Sequence, residues 1–185
     1  AAVFNGTTQY LSRADTAVLD IAANLTISAW IYITTDAAAY IVSKLTTGAN
    51  RSYELAYVGG QIYGLLSTDG TAIFSASSAA STIPLNTWKH VAVVYDGANI
   101  QMYVDGVASG TPTSMTGNIY NSNAPLNIGR RGTALSYFPG RIDDVSFWSR
   151  ALSAAEIAAV YNFGEDFGPV TVAIPVATFN FTEYA

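Results

Sequence analysis

The chain has 185 residues, of which 50% are hydrophobic and 11% charged, and its net charge is −5. That is material for one domain with a large core, and 8 basic against 13 acidic residues leave no stripe to neutralise phosphates, which excludes nucleic acid as a partner. The absence of cysteine excludes disulfides and thiolate metal sites, and no apolar run reaches membrane-spanning length.

Ala2 to Leu11 reads as a first strand broken at Asn5-Gly6, with no basic segment or apolar signal core; export by a cleaved signal would need a leader ahead of it. Arg13 to Ala23 is a connector across the end of the fold. From Leu25 to Ile33 the apolar residues Leu25, Ile27, Ala29, Ile31 and Ile33 alternate with Thr26, Ser28, Trp30 and Tyr32, which is strand periodicity. Tyr40 to Leu45 is a further strand. Tyr53 to Val58 and Gln61 to Ser67 flank Gly59-Gly60, a two-residue hairpin signal. A short strand is expected at Ile73-Phe74, and the Ser/Ala-rich stretch Ser75 to Thr82 reads as a loop.

The stretch Trp88 to Gly106 organises the rest. Val91, Val93 and Tyr95 alternate on one strand, Ile100, Met102 and Val104 on the next, and Asp96-Gly97-Ala98-Asn99 links them. Pairing Tyr95 with Ile100, Val93 with Met102 and Val91 with Val104 makes one apolar face that must be buried. The opposite face carries His90, Ala92, Val94, Gln101 and Tyr103 and is expected to be half covered. Ser109 to Asn123 is a long polar loop, Leu126 to Ile128 a strand, and Tyr137 to Trp148 another. One helix is predicted near 153–162, because Ser153-Ala-Ala-Glu156 is a capping box with Leu152 and Ile157 at its staple positions. Val170, Val172, Ile174 and Val176 then alternate, with Pro175 marking an edge. The domain reading is a sandwich over 1–164, with 165–185 a linker and edge strand of the same domain or of a neighbour contact.

The string Trp88-Lys-His-Val-Ala-Val-Val-Tyr-Asp-Gly97 with Ile100-Gln-Met-Tyr-Val-Asp-Gly106 resembles the laminin G-like domains of the concanavalin A-like lectin and glucanase superfamily. Phe4-Asn5-Gly6, Leu25 to Ile31 and Gly140 to Trp148, running into Arg150-Ala-Leu-Ser153, support it in order. The resemblance spans about residues 3 to 163 and implies an all-β, antiparallel jelly-roll β-sandwich with one short helix near the C-terminus. It also implies a binding scaffold, since one fold hosts many roles. Many relatives hold a calcium ion near the sandwich edge, which the resemblance would place on Asp143 and the turn residue Asn5. Asn5 stands where an aspartate is usual and brings no charge.

No enzyme is expected. Glycoside hydrolysis needs two carboxyl groups facing one another across a sugar, and the Glu-x-Asp-x-(x)-Glu string of the resembling glucanases is absent. Asp143 and Asp144, neighbours on a strand, are expected to point to opposite faces. His90, the single histidine, reads as structural, near Asp105. For a glycan, Trp30, Tyr32, Gln101 and Tyr103 form the candidate ligand-binding face: aromatic platforms beside hydrogen-bonding groups. Few lysines, few charges and many Ala, Thr and Ser point to a phage virion surface protein, either a capsid decoration or cement protein or a tail adhesion protein. Its partners would be major capsid or tail subunits and further copies of itself. The alternative is a secreted or surface carbohydrate-binding module of lectin type, in an extracellular setting.

Overall fold

The computed structural model describes residues 1–47, 49–132, 136–163 and 177–179. Its strands are β1 (Ala2–Asn5), β2 (Leu11–Arg13), β3 (Leu25–Ile33), β4 (Ala39–Leu45), β5 (Arg51–Val58), β6 (Gln61–Leu66), β7 (Phe74–Ser77), β8 (Trp88–Tyr95), β9 (Asn99–Val104), β10 (Val107–Ser114), β11 (Leu126–Ile128), β12 (Pro139–Trp148) and β13 (Ala177–Phe179). A helix, α1 (Ala154–Phe163), follows β12, and a 3-10 turn occupies Ala17–Leu19. The strands form two antiparallel sheets. The seven-stranded sheet runs β1-β12-β3-β8-β9-β10, with β13 also on β12, and the six-stranded sheet runs β2-β11-β4-β5-β6-β7. This is the expected jelly-roll sandwich.

The central hairpin has the register its apolar alternation requires: Tyr95 opposite Ile100, Val93 opposite Met102, Val91 opposite Val104. All six enter the core between the sheets, with Leu25, Ile27, Ala29, Ile31 and Ile33 of β3 beside them. A one-residue slip would carry every one of these side chains to the other face, so burial pins the register. Val58 pairs with Gln61 across Gly59-Gly60, both at positive φ, the geometry of a tight hairpin turn. The sheets pack tightly at Gly64 of β6, where a Cβ would lie 2.5 Å from Val93 Cγ2 and 2.9 Å from the Met102 sulfur. Gly64→Ala is therefore expected to destabilise the fold by about 1–3 kcal/mol through overpacking. A lowered midpoint with an unchanged slope in urea unfolding would show it.

Three expectations need correction. Ser75 to Thr82 is not all loop, because β7 runs to Ser77 and pairs with β6 through Tyr63–Ser77 and Gly64–Ala76. The polar stretch from Ser109 begins inside β10, an edge strand of small and hydroxylated residues held by backbone pairing to β9. Apolar alternation cannot reveal either, since an edge strand with little to bury shows no period. The first strand is two: β1 joins the seven-stranded sheet and β2 the six-stranded one. The alternating run 170–176 and the cap expected at Gly164 lie outside the described residues, whereas β13 pairs with β12 as Val145–Phe179 and Phe147–Ala177.

The capping box forms as the sequence predicts. Ser153 N donates to Glu156 Oε2 at 2.8 Å, and Glu156 N donates to Ser153 Oγ at 3.3 Å. Arg150 adds a two-pronged grip on the Glu156 carboxylate. That guanidinium and the cap hold the Glu156 carboxyl at about 2. Leu152, Ile157 and Val160 pack on Ala92, Val94, Tyr103 and Trp148, so α1 lies across one half of the outer face of the seven-stranded sheet.

Candidate functional site

Among the described residues α1 covers one half of that face, and Trp30, Tyr32, Trp88, Asp143 and Asp144 on the other half are partly exposed. Cross-strand pairing sets Arg141, Tyr32 and Trp88 side by side in one row and Asp143, Trp30 and His90 in the next. Alternation fixes their direction: Ile31, Ile33, Val91 and Ile142 are core, so the residues between them face outward. The Tyr32 and Trp88 rings lie 5.7 Å apart, and the Arg141 guanidinium sits 5.6 Å over Tyr32. Trp30 stacks on Tyr161 of α1 at 5.6 Å and meets His90 edge-on at 5.5 Å.

A bulge in β12 completes the site. Asp143 pairs with Trp30 and Ser146 with Ser28, so β12 carries one more residue than β3 over this span. Asp144 takes φ +45, in the left-handed region that Asp tolerates better than most residues. The core contacts resume at Val145, and both acids fall between two buried apolar residues, Ile142 and Val145. Asp143 and Asp144 therefore share the outer face, contrary to strict alternation, and line one open pocket with Trp30 and Trp88. Bulges re-aim side chains in this way. A strand read at period two has no signal for one, although two consecutive polar residues between apolar ones is a weak hint. Asp143 Oδ2 also lies 3.0 Å from the amino group of Ala1.

The four residues expected to bind a glycan are divided by the helix. Trp30 and Tyr32 stand on the open half. Tyr103 lies 8% exposed beneath α1, and the Gln101 amide donates to the carbonyls of Met102 and Ser109. Trp88, Asp143 and Asp144 take their places beside the two open aromatics.

The two residues that the resemblance offers to calcium do not share a coordination sphere. Asn5 Oδ1 accepts from the backbone amides of Thr7, Thr8 and Gln9, so its acceptor capacity is spent on its own turn. Asn5 pairs with Pro139, four residues before Asp143 on β12, or about 13 Å along a strand. Among the described residues no group of three or more His, Asp or Glu side chains gathers to hold a metal ion.

His90 sits at the border between the covered and open halves. It is 1% exposed, neither ring nitrogen has a hydrogen-bond partner, and its backbone amide donates to Asp105 Oδ1 at 3.1 Å. Desolvation lowers the imidazole to about 4, with the Asp105 carboxylate pulling weakly the other way. A buried neutral ring wedged between Trp30 and Tyr161 is a packing element. It is placed near Asp105, as the sequence suggests.

A family model described as the concanavalin A-like lectin/glucanases superfamily matches residues 5–158. Among curated proteins, the adhesion G-protein coupled receptor V1 of Danio rerio is 25% identical over 152 residues, 78% of this chain and 2% of the receptor. Among solved structures, the carbohydrate-binding module CBM40 of the Ruminococcus gnavus IT-sialidase, bound to α2,3-sialyllactose, superposes with a TM-score of 0.69 at 16% identity, over 87% of this chain and 97% of that one. A heptameric pentraxin of Limulus polyphemus gives 0.63 at 19% identity, over 86% and 80%. These similarities concern the fold. Among the described residues no helix is long and apolar enough to cross a membrane.

Proposed function

Because the chain belongs to the concanavalin A-like lectin/glucanases superfamily, we propose that it is a non-catalytic glycan-binding module whose site is the open half of the seven-stranded sheet. The observation that supports this is the β12 bulge, which sets two carboxylates beside two tryptophans in one pocket. Aromatic rings present flat apolar faces to sugar C–H groups, and carboxylates accept sugar hydroxyls; pockets of this composition recognise saccharides. In this reading Trp30, Trp88 and Tyr32 are the platforms, and Asp143 and Asp144 accept hydroxyls. Tyr103 supports the face from beneath α1, and Gln101 braces β9 against Ser109 of β10.

Catalysis has no support in this geometry. Consecutive residues of one strand supply both acids of the pocket, and among the described residues no third acid lines it. Glycoside hydrolysis asks for carboxyl groups about 5–10 Å apart across the sugar. Calcium has no role through Asn5, and melting curves in chelator and in excess calcium are expected to coincide. A rise in Tm with calcium would count against that, since an ion bound only by the folded state stabilises it.

The proposed setting is extracellular display, in keeping with the matched segment of an adhesion receptor. The virion setting rests on composition alone. The large apolar side chains exposed among the described residues, such as Val3, Val18, Ile73 and Val107, belong to separate elements.

The test is a glycan array followed by titration calorimetry on its best hit. Trp88→Ala is expected to weaken binding about tenfold to a hundredfold, about 1.4–2.8 kcal/mol. Asp143→Asn should weaken it less, with Tm nearly unchanged in both variants. Full affinity in both would refute the site, and no hit on the array would refute the function.

A further inference from the structure

The outer face of the six-stranded sheet holds a second polar constellation, on the other side of the sandwich. A row of paired positions crosses it from Ser12 through Asn127, Ser43, Glu54 and Leu65 to Ser75. At its centre Glu54 is fully buried, although its chain neighbours Tyr53 and Leu55 are the ones that point into the core. Arg130 to Gly132, just after β11, lie over this part of the sheet. Ser43 Oγ donates to the carbonyl of Arg130 at 2.9 Å, and Gly132 presses so close that a Cβ there would fall 1.9 Å from the Leu45 carbonyl oxygen.

Glu54 Oε1 accepts from Arg51 Nε at 2.7 Å. Its other oxygen, Oε2, has no hydrogen-bond partner, and neither has the buried Nε of Arg131. The Arg131 guanidinium lies 5.4 Å from the Tyr40 ring centroid, and it is one of the charges acting on both Tyr40 and Glu54. Burial pushes the Glu54 carboxyl up, against the pull of Arg51 and Arg131. Folded interiors leave few buried polar atoms unpaired, and each asks for a partner.

The unpaired atoms are one acceptor and one donor. A hydroxyl group satisfies both: its O–H donates to Glu54 Oε2, and its oxygen accepts from Arg131 Nε–H. An anion would meet the Glu54 carboxylate, and a cation would meet two guanidiniums, so the charges favour a neutral group. The adjoining row is Tyr40, Ala56 and Tyr63. Ala56 is a short floor between two partly exposed rings, and Gln61 accepts from the Tyr63 hydroxyl at 3.3 Å. Two partly exposed rings flanking a short residue, beside an unpaired acceptor and an unpaired donor, have the composition of a sugar site.

We propose that this patch is a second saccharide site, in which Glu54 and Arg131 hold one sugar hydroxyl between them and Tyr40 and Tyr63 flank the ring. The hydroxyl enters as the guanidinium end of Arg131 gives up its contact with Tyr40, with Nε–H kept as the donor. With a site on each outer face, one molecule can bridge two glycan chains and gain avidity on a multivalent surface.

The experiment titrates isotope-labelled protein with maltotriose, lactose and chitotriose and follows the Arg131 Nε–H and the Tyr63 ring by NMR. The expected result is a saturable shift of both signals with at least one sugar. Tyr63→Ala should weaken that binding about tenfold or more, and Trp88→Ala should leave it unchanged. Glu54→Gln should abolish the Arg131 shift; if that variant does not fold, Tyr63→Ala, on the rim, decides alone. No saturable shift with any of the three sugars overturns the proposal and leaves a buried water between Glu54 and Arg131. A shift that survives Tyr63→Ala, or that disappears in Trp88→Ala, overturns it as well. Because the two faces answer to different substitutions, failure here is distinguishable from failure of the first site.

Discussion

Lys44→Met is expected to cost about 3–5 kcal/mol, because removing one partner of a buried ion pair strands the others. The Lys44 side chain is fully buried, and its ammonium lies 2.8 Å from Asp15 Oδ1 and 3.3 Å from Asp20 Oδ1. It also donates to the carbonyl of Ser122. One β4 side chain thus ties down the connector between β2 and β3 and the loop before β11. The connector also closes over Tyr53, whose hydroxyl donates to the Leu19 carbonyl at 3.0 Å and whose ionisation burial opposes. Methionine fills the same space but leaves two carboxylates facing each other and a carbonyl without a donor. The carboxylates are about a quarter exposed, at 27% and 23%, so water can reach them and the loss should fall at the lower end of the range. Adding Asp15→Asn and Asp20→Asn should recover part of it, since neutral partners carry no stranded charge. Equilibrium urea unfolding measures both. A single variant as stable as the parent would show that the ammonium contributes nothing.

The second large effect is an acid sensitivity carried by His90. Its folded pKa, about 4, lies below the unfolded value of 6.5. Between those values the unfolded chain takes up a proton that the folded chain refuses. Stability therefore falls as pH drops from about 6.5 to about 4, by up to roughly 3 kcal/mol, and is level above that window. For a chain of this size that is a Tm loss of about 6–12 °C. Glu54, with its carboxyl raised, slopes the opposite way above the ordinary carboxylate range. Glu156 and Asp69, each held at about 2, lose their contributions only below that range. The clean measurement is therefore a difference. Tm against pH for the parent and for His90→Phe should diverge between about pH 6.5 and 4 and run parallel elsewhere. Parallel curves throughout would mean that the imidazole is solvated in the folded state. Because the ring packs on Trp30 and Tyr161, acid should also loosen α1 and the aromatic face together.

Residue order alone settles the sandwich and its central hairpin. Val91, Val93, Tyr95, Ile100, Met102 and Val104 admit one pairing that buries them all, and the observed register is that pairing. It also determined the start of α1, since Ser153 and Glu156 lie within hydrogen-bonding reach of each other's backbone amides and need nothing distant. Which surface is available is settled only when the elements pack. Trp30, Tyr32, Gln101 and Tyr103 do share one outer face, but α1 returns across half of it, and no local pattern says where a helix docks. The pairing of Asp143 with Asp144 on one face depends on a bulge set by where β3 and β12 meet, at Trp30 and again at Ser28. Glu54 alternates like any solvent-facing strand residue, and its burial, on the part of the sheet that Arg130 to Gly132 lie over, joins positions far apart in the chain. Alternation is a property of one strand and can be read from one strand, whereas cover, bulges and buried charge belong to pairs of elements and exist only once those elements have met.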